Sequence, residues 1–231
     1  MKIAHLCAIS LLCPAASATA AERGYSVTDF DRVRVDGPYK VTLATNRSPS
    51  ARAYGSQRAI EGVLVEVQGR TLIVKRNSQN WGGYPGQSAG PVEIRLSTPG
   101  LRTAAMNGAG SLAIDTLRGA SIDLTVSGSG LISVAALQAD RLNVAIVGAG
   151  HAELAGKAAI AQILVRGTGG VDGAALSVKN AKIGAEGPAD IKLVATSSAN
   201  IVANGSGSIT VTGNPACTVK STGSGNVSCG D

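Results

Sequence analysis

Aromatic residues and histidine are scarce in this chain. One Phe, one Trp and four Tyr are the only aromatic residues among 231, and there are two His. Nucleic-acid binding typically combines a concentrated basic stripe with stacking aromatics. Neither is present, although the formal net charge is +6. The composition therefore argues against a nucleic-acid partner and indicates a surface with a modest excess of positive charge.

Sequence motifs for several kinds of chemistry are also missing. The Gly-x-Gly pairs lack the third glycine and the acidic residue of a dinucleotide site, and no Walker-type Gly-Lys-Ser/Thr occurs. The Gly-Gly-x-Gly-x-Asp repeat of calcium-binding β-helices is absent. His151 is the only histidine outside residues 1–20, so a serine or cysteine nucleophile has little support. We expect no catalytic residue, no cofactor and no metal site.

Glycine, in contrast, is abundant and recurs at a fixed period. Seven glycines occupy equivalent places in related tetrads such as Ser127-Gly128-Ser129-Gly130. They fall at positions 108, 128, 148, 167, 187, 205 and 223, which corresponds to a period of 18 to 20 residues. A constant period of this size is typical of stacked repeat architectures.

Apolar and polar residues alternate on both sides of each of these glycines. Around the glycine at position 148, the apolar residues are Leu142, Val144, Ile146, Ala152 and Leu154. Leucines nine positions after the glycine suggest a third side: Leu117, Leu137 and Leu176. Period-two alternation indicates short strands with one buried face. The sequence predicts an all-β fold, a parallel β-solenoid (β-helix) with coils of roughly 19 residues. An antiparallel barrel would need hairpin signals between strands.

The amino-terminal segments differ in character from the repeats. Residues 1–20 have the features of a signal peptide, with Lys2 ahead of an apolar stretch and an Ala18-Thr19-Ala20 cleavage motif. The run is too short for a membrane span. Residues 21–29 are interpreted as a polar leader. We therefore predict an exported protein, located in the periplasm, on the outer surface or in the medium.

We predict that residues 30–231 form a single domain. Residues 30–97 are interpreted as less regular coils that close the amino-terminal end as a β cap, and residues 98–231 as the regular coils. Residues 77–91 are rich in Gly, Ser, Asn and Pro and are predicted to form a loop. Trp81 and Tyr84 in this loop are candidate contact residues, although a mobile loop without a binding role is the simpler interpretation.

One outer column of the predicted solenoid carries acidic residues. The position five after each glycine holds Glu153 and Asp172 on adjacent coils, followed by Lys192. Such a carboxylate pair could serve a polysaccharide lyase or hydrolase, while a solvated charge ladder is the ordinary case. The sequence places no arginines or aromatics around this column to bind a sugar. We therefore predict that the protein is not an enzyme, with a carbohydrate-active enzyme as the alternative.

Two cysteines remain outside residues 1–20. Cys217 and Cys229 lie six positions before and six positions after Gly223, in slots that face inward in the other coils. In an oxidising compartment two such cysteines on one coil are placed to form a disulfide. The alternative is a pair of buried thiols that fill space.

Three features carry a family likeness: Phe30-x-x-Val33-x-Val35-x-Gly37, Val92-x-Ile94-x-Leu96 and the repeated Gly-Ser-Gly corners. In these features the chain resembles the GIN domain family, which is also called the putative autotransporter adhesin head domain. The resemblance implies a right-handed β-helix exported in bacteria and carries over no catalytic residues. We expect a binding or structural module of the envelope or surface whose partner is an envelope glycan or a protein.

Overall fold

The protein is built almost entirely from strands that belong to one sheet. A computed structural model describes residues 21–78 and 90–230. Within this part of the chain, sixteen strands join into a single sheet and one short helix is present. The elements in chain order are β1 (Ala21–Tyr25), β2 (Arg32–Asp36), β3 (Lys40–Ala44), β4 (Ser50–Gly55), α1 (Gln57–Glu61), β5 (Val63–Gln68), β6 (Thr71–Arg76), β7 (Val92–Ser97), β8 (Thr103–Gly108), β9 (Ser111–Gly128), β10 (Leu131–Gly148), β11 (His151–Gly167), β12 (Gly170–Glu186), β13 (Asp190–Asn204), β14 (Ser208–Thr212), β15 (Ala216–Thr222) and β16 (Asn226–Cys229).

The carboxyl-terminal two thirds form the predicted parallel β-solenoid. Strands β9 to β13 are 15 to 18 residues long, and each pairs in parallel with the strand one coil away. The register aligns Gly128 with Gly148 and Gly148 with Gly167. The coils therefore stack in the phase that the glycine period predicts, through about six turns.

The seven repeat glycines form a continuous stack of corners. All have positive φ, for example +107° at Gly128 and +109° at Gly148. A Cβ on Gly148 would lie 2.7 Å from the carbonyl oxygen of Gly128. Gly37, with φ of +131°, precedes them in the stack, because its amide donates to the carbonyl of Asn107 at 2.8 Å. Both the backbone angle and the close approach of the coils therefore require glycine at these corners.

Small aliphatic side chains fill the interior between the coils. The inward residues around the corners from Gly108 to Gly205 are buried, as are the predicted third-side leucines Leu117, Leu137 and Leu176. The largest buried side chains include a single aromatic residue, Phe30, in the amino-terminal part. A narrow coil leaves little room for rings, which explains the low aromatic content of the chain.

The amino-terminal part is a cap with mixed strand directions. Within residues 30–97, β2 and β3 continue the coil stack by pairing in parallel with β8 and β9. Strand β5 runs antiparallel to β6, and β4 runs antiparallel to β7. The segment is therefore a less regular β cap, as the sequence predicts, and its antiparallel pairs are the source of the irregularity. The chain reverses at Gly69, where φ is +62°, so this segment cannot propagate the coil.

Two elements of the cap were not predicted. The expected polar leader at residues 21–29 contains β1, which pairs antiparallel with β4. The sequence of β1 lacks the apolar alternation that predicts a strand, because only Ala21 and Tyr25 pack against the core and the three residues between them are exposed. The five-residue α1 is capped by Ser56, whose Oγ accepts from the Ala59 amide at 3.2 Å, and it is too short to show a helical period.

The predicted disulfide closes the last coil. Cys217 on β15 and Cys229 on β16 are bonded, and the register aligns them with the buried residues Ala199 and Val211 of the preceding coil. Both therefore occupy inward slots, as predicted. Cys217 is nevertheless exposed, and so is Val219, because no described coil covers this end.

Replacing a corner glycine should cost much more stability than replacing an ordinary one. We expect Gly148→Ala to lower the free energy of unfolding by about 3 kcal/mol, because its Cβ would meet backbone at a positive φ. The matched control is Gly119→Ala, whose Cβ would lie 3.4 Å from the Ile122 side chain and 3.8 Å from the Ser121 carbonyl oxygen, both without a clash. Thermal unfolding followed by circular dichroism compares the two. Equal melting temperatures would contradict the steric account of the corner.

Removing the disulfide should loosen the last coil before the rest. The double substitution Cys217→Ala/Cys229→Ala removes a constraint worth about 3 kcal/mol for a loop of this length. We expect hydrogen exchange to accelerate in β15 and β16, which lie at the end of the stack. The amides of β10, which is remote from β16 in the sheet order, serve as the internal control. Unchanged exchange in β15 would show that the bond is dispensable for this coil.

Candidate ligand-binding groove

The acidic column forms as the sequence predicts. Register pairs join Ser133 to Glu153, Glu153 to Asp172, and Asp172 to Lys192. Parallel strands lie about 4.8 Å apart, so the two carboxylates occupy adjacent rungs of the ladder. Both are exposed. His151 is also exposed, but it lies in the neighbouring column, aligned with Leu131 and Gly170.

The same column continues into the cap and becomes basic there. Ala113 aligns with Thr42, Thr42 with Arg95, and Arg95 with Arg52. The expectation that no arginine or aromatic residue surrounds this column is therefore wrong. The arginines escape detection because β4 and β7 belong to the cap, where the glycine phase does not apply, and β4 runs in the opposite direction.

A single groove of about 940 Å³ extends along this face and joins the two ends. Between the charges it is lined by small residues and by the buried aliphatic residues Leu43, Leu96, Ile114, Val134 and Leu154, and we call it the outer-face groove. Its charged residues are Arg47, Arg52 and Arg95 at the cap end, and Asp115, Glu153 and Asp172 towards the coils. Its small lining residues are Thr42, Ala44, Ser50, Ser97, Ala113, Ser133, Ala135, Ala155, Ala174 and Ala175.

The arginine end is held by ionic and aromatic contacts. Arg95 lies over the ring of Tyr54, with its Cζ 4.6 Å from the ring centroid, and its Nε is 3.2 Å from Glu93 Oε1. Arg52 Nη1 lies 2.8 Å from Glu22 Oε1, which also accepts from the Tyr54 hydroxyl at 3.3 Å. The hydrogen bonds to Glu22 and Tyr54 raise the pKa of Arg52. The guanidinium groups are thus oriented on the strand surface by their neighbours.

Arg47 is presented by a turn that is fastened to the first long strand. The backbone amide of Thr45 donates to Asp115 Oδ1 at 2.9 Å, and the Thr45 hydroxyl donates to the Thr116 carbonyl at 2.8 Å. Thr45 is buried, and Asn46 beside it has a φ of +57°. Asp115 therefore has a structural role, because it holds the turn that carries Arg47 over one side of the groove.

Glu153 and Asp172, at the acidic end, form no ion pairs with the described residues. Asp172 Oδ1 accepts the amide of Ala174 at 3.1 Å, a contact that leaves its second oxygen available. Within residues 21–78 and 90–230, no cationic group lies within 4.0 Å of a Glu153 or Asp172 carboxylate oxygen. The same part of the chain contains no cluster of three or more His, Cys, Asp or Glu residues suited to a metal ion. These carboxylates are placed to accept hydrogen bonds or to pair with a ligand cation.

Trp81 and Tyr84, the other candidate contact residues, lie outside the described residues, as does most of the predicted loop 77–91 and all of the predicted signal peptide. The cap arginines, Tyr54 and Asp115 were not predicted from the sequence. For Arg52 and Arg95 the available signal was the alternation of β4 and β7, which places both side chains in outward positions. Asp115 lies on β9, where an outward position alone does not indicate its contact with Thr45.

Comparison with known proteins supports the fold. The sequence profile of a family described as "Putative auto-transporter adhesin, head GIN domain" matches residues 29–215. A putative adhesin from Bacteroides fragilis is 22% identical, with a TM-score of 0.80 over 92% of this chain and 98% of its own. A putative lipid binding protein from Parabacteroides distasonis is 20% identical, with a TM-score of 0.71 over 93% of this chain and 98% of its own. At these identities the likeness establishes the shared fold alone. No curated protein sequence matches the chain.

Removing the Asp115 carboxylate should release the turn that carries Arg47. We expect Asp115→Ala to lower the free energy of unfolding by about 1–2 kcal/mol, because the buried Thr45 amide loses its acceptor. Trypsin should then cut the bond after Arg47 faster than in the parent protein. Asp140→Ala, an exposed acidic residue on another side of the solenoid, is the control. Equal cleavage rates at Arg47 in both variants would contradict the structural role of Asp115.

Proposed function

The chain belongs to the GIN domain family, described as "Putative auto-transporter adhesin, head GIN domain", and from that premise we propose that it is an exported, adhesin-like binding module of the bacterial cell envelope or surface. One observation carries the proposal: the outer-face groove brings cap arginines and coil carboxylates onto one open face. Exposed charges of both signs around a lining of small and aliphatic residues are suited to holding an extended partner.

Two features favour export. The first 20 residues have the composition of a signal peptide. The Cys217–Cys229 bond is of the kind that forms and persists in oxidising compartments such as the periplasm. Among the described residues, no helix is long and apolar enough to cross a membrane.

Binding without catalysis fits the groove better than a carbohydrate-active enzyme does. A paired-acid mechanism needs one carboxyl group in surroundings that favour its protonated form, such as a hydrophobic pocket, whereas Glu153 and Asp172 are both exposed. The two acids are therefore proposed as contact residues, together with Trp81 and Tyr84 of the predicted loop.

We expect binding that depends on the groove and leaves the ligand intact. Arrays of envelope glycans and of peptides, probed with the exported protein, should yield ligands whose retention falls in Glu153→Gln and Asp172→Asn, because each removes a carboxylate from the groove. Asp140→Asn, which removes an exposed carboxylate elsewhere, should bind as the parent does.

The same ligands, incubated with the protein, should release no new reducing ends or unsaturated sugars. Release of either product, lost in the Glu153→Gln variant, would establish the carbohydrate-active enzyme instead. Equal retention by all three variants would remove the groove from the binding function.

A further inference from the structure

We infer that the outer-face groove binds an extended polypeptide segment with acidic side chains at one end and basic side chains at the other. This inference rests on the proposed function and names the ligand class of the same site. Three observations support it. The positive and negative side chains lie at opposite ends of the groove, small side chains lie between them, and the Tyr54 ring is covered by Arg95.

The charges of the groove are segregated by position. Arg95 on β7 and Glu153 on β11 belong to one column and are four strands apart in the sheet order. At about 4.8 Å per strand, that separation is roughly 19 Å. A ligand of one sign would meet repulsion at one of the two ends, so the complementary ligand carries both signs at a similar separation.

An extended polypeptide has the matching dimensions. Its backbone advances about 3.3 Å per residue, so about six residues cover the distance between the two charge clusters. Acidic side chains of the ligand would face the arginine end, where Arg47 has no ion pair with any described carboxylate. Basic side chains would face Glu153 and Asp172.

The floor between the clusters suits a peptide in contact with the sheet. Thr42, Ala113 and Ser133 follow one another in the column between Arg95 and Glu153. The methyl groups of Thr42 and Ala113 accept small apolar side chains, and the hydroxyls of Thr42 and Ser133 can bond to a peptide backbone. None of the three side chains is long enough to prevent an extended chain from lying close to the sheet.

The one aromatic ring among the described lining residues, that of Tyr54, has a face covered by another side chain of the groove. Sugars are commonly held against an open aromatic face, but the ring of Tyr54 is covered by the Arg95 guanidinium. The lining residues that the structure describes offer no second ring. The groove therefore has the charge pattern of a peptide site and lacks the stacking surface of a sugar site.

Three probes test the ligand class on the full exported protein. The first is the capped peptide Glu-Glu-Ala-Val-Ala-Val-Lys-Lys, with its charges segregated. The second has the same composition with Glu and Lys interleaved. The third is an oligomer of galacturonic acid of about four sugars, which has a similar length and only negative charge. Affinities are measured by isothermal titration calorimetry at low ionic strength.

We expect the segregated peptide to bind about fivefold to tenfold more tightly than the interleaved one. Asp172→Asn should remove most of that preference, and Asp140→Asn should retain it. The double substitution Glu153→Lys/Asp172→Lys should reverse the selection, so that a fourth probe, the peptide Glu-Glu-Ala-Val-Ala-Val-Glu-Glu, becomes the preferred ligand. Circular dichroism verifies that each variant is folded. The reversal is a readout that loss of folding cannot produce.

Two other outcomes would overturn the inference in different ways. If the uronic acid oligomer binds and depends on Arg47 while neither peptide binds, the ligand class is wrong and the proposed binding function stands. If no probe responds to substitution of Arg47, Glu153 or Asp172, the groove is not the binding site and the proposed function loses its carrying observation.

Discussion

The structure depends on one constraint: each coil must present its backbone donors and acceptors to the coil before it. The pairing from β9 to β13 satisfies this requirement over long parallel runs, which short register shifts such as that between Val134 and Leu137 separate. Parallel strands are about 4.8 Å apart, so corners must also approach to that distance. Glycine at every corner satisfies both requirements, and the small interior residues follow from the narrow cross-section that results.

The repetitive part of the fold could be predicted from the sequence because residues at equivalent positions of successive repeats lie next to each other in adjacent coils. Once Gly128 and Gly148 are taken as equivalent, every residue between them has a known neighbour, which is why the Glu153–Asp172 alignment and the inward slots of Cys217 and Cys229 are confirmed. The same reasoning finds the buried third-side leucines.

The cap could be predicted only as β structure, because its strands do not share a phase. Strand β4 reverses direction, so the place of Arg52 beside Arg95 depends on pairing that no period encodes. Strand β1 has a polar sequence and is held as an edge by β4. Asp115 is outward on a regular coil, yet its role depends on Thr45, which is 70 residues earlier. Only one half of the groove could therefore be predicted from the sequence. Its acidic residues occupy equivalent positions in the glycine repeat, whereas its arginines lie outside the repeat.

The Cys217–Cys229 bond determines how the last coil responds to a pull along the solenoid axis. The strands lie across the solenoid axis, so the hydrogen bonds between coils run along it. A pull along the axis therefore breaks the hydrogen bonds of one coil at a time, and the coils detach one after another. Within the last coil, the disulfide holds the 12-residue interval between the two cysteines as a covalent loop. Traction from that end cannot lengthen this interval, and the force passes through the sulfur atoms to the next coil.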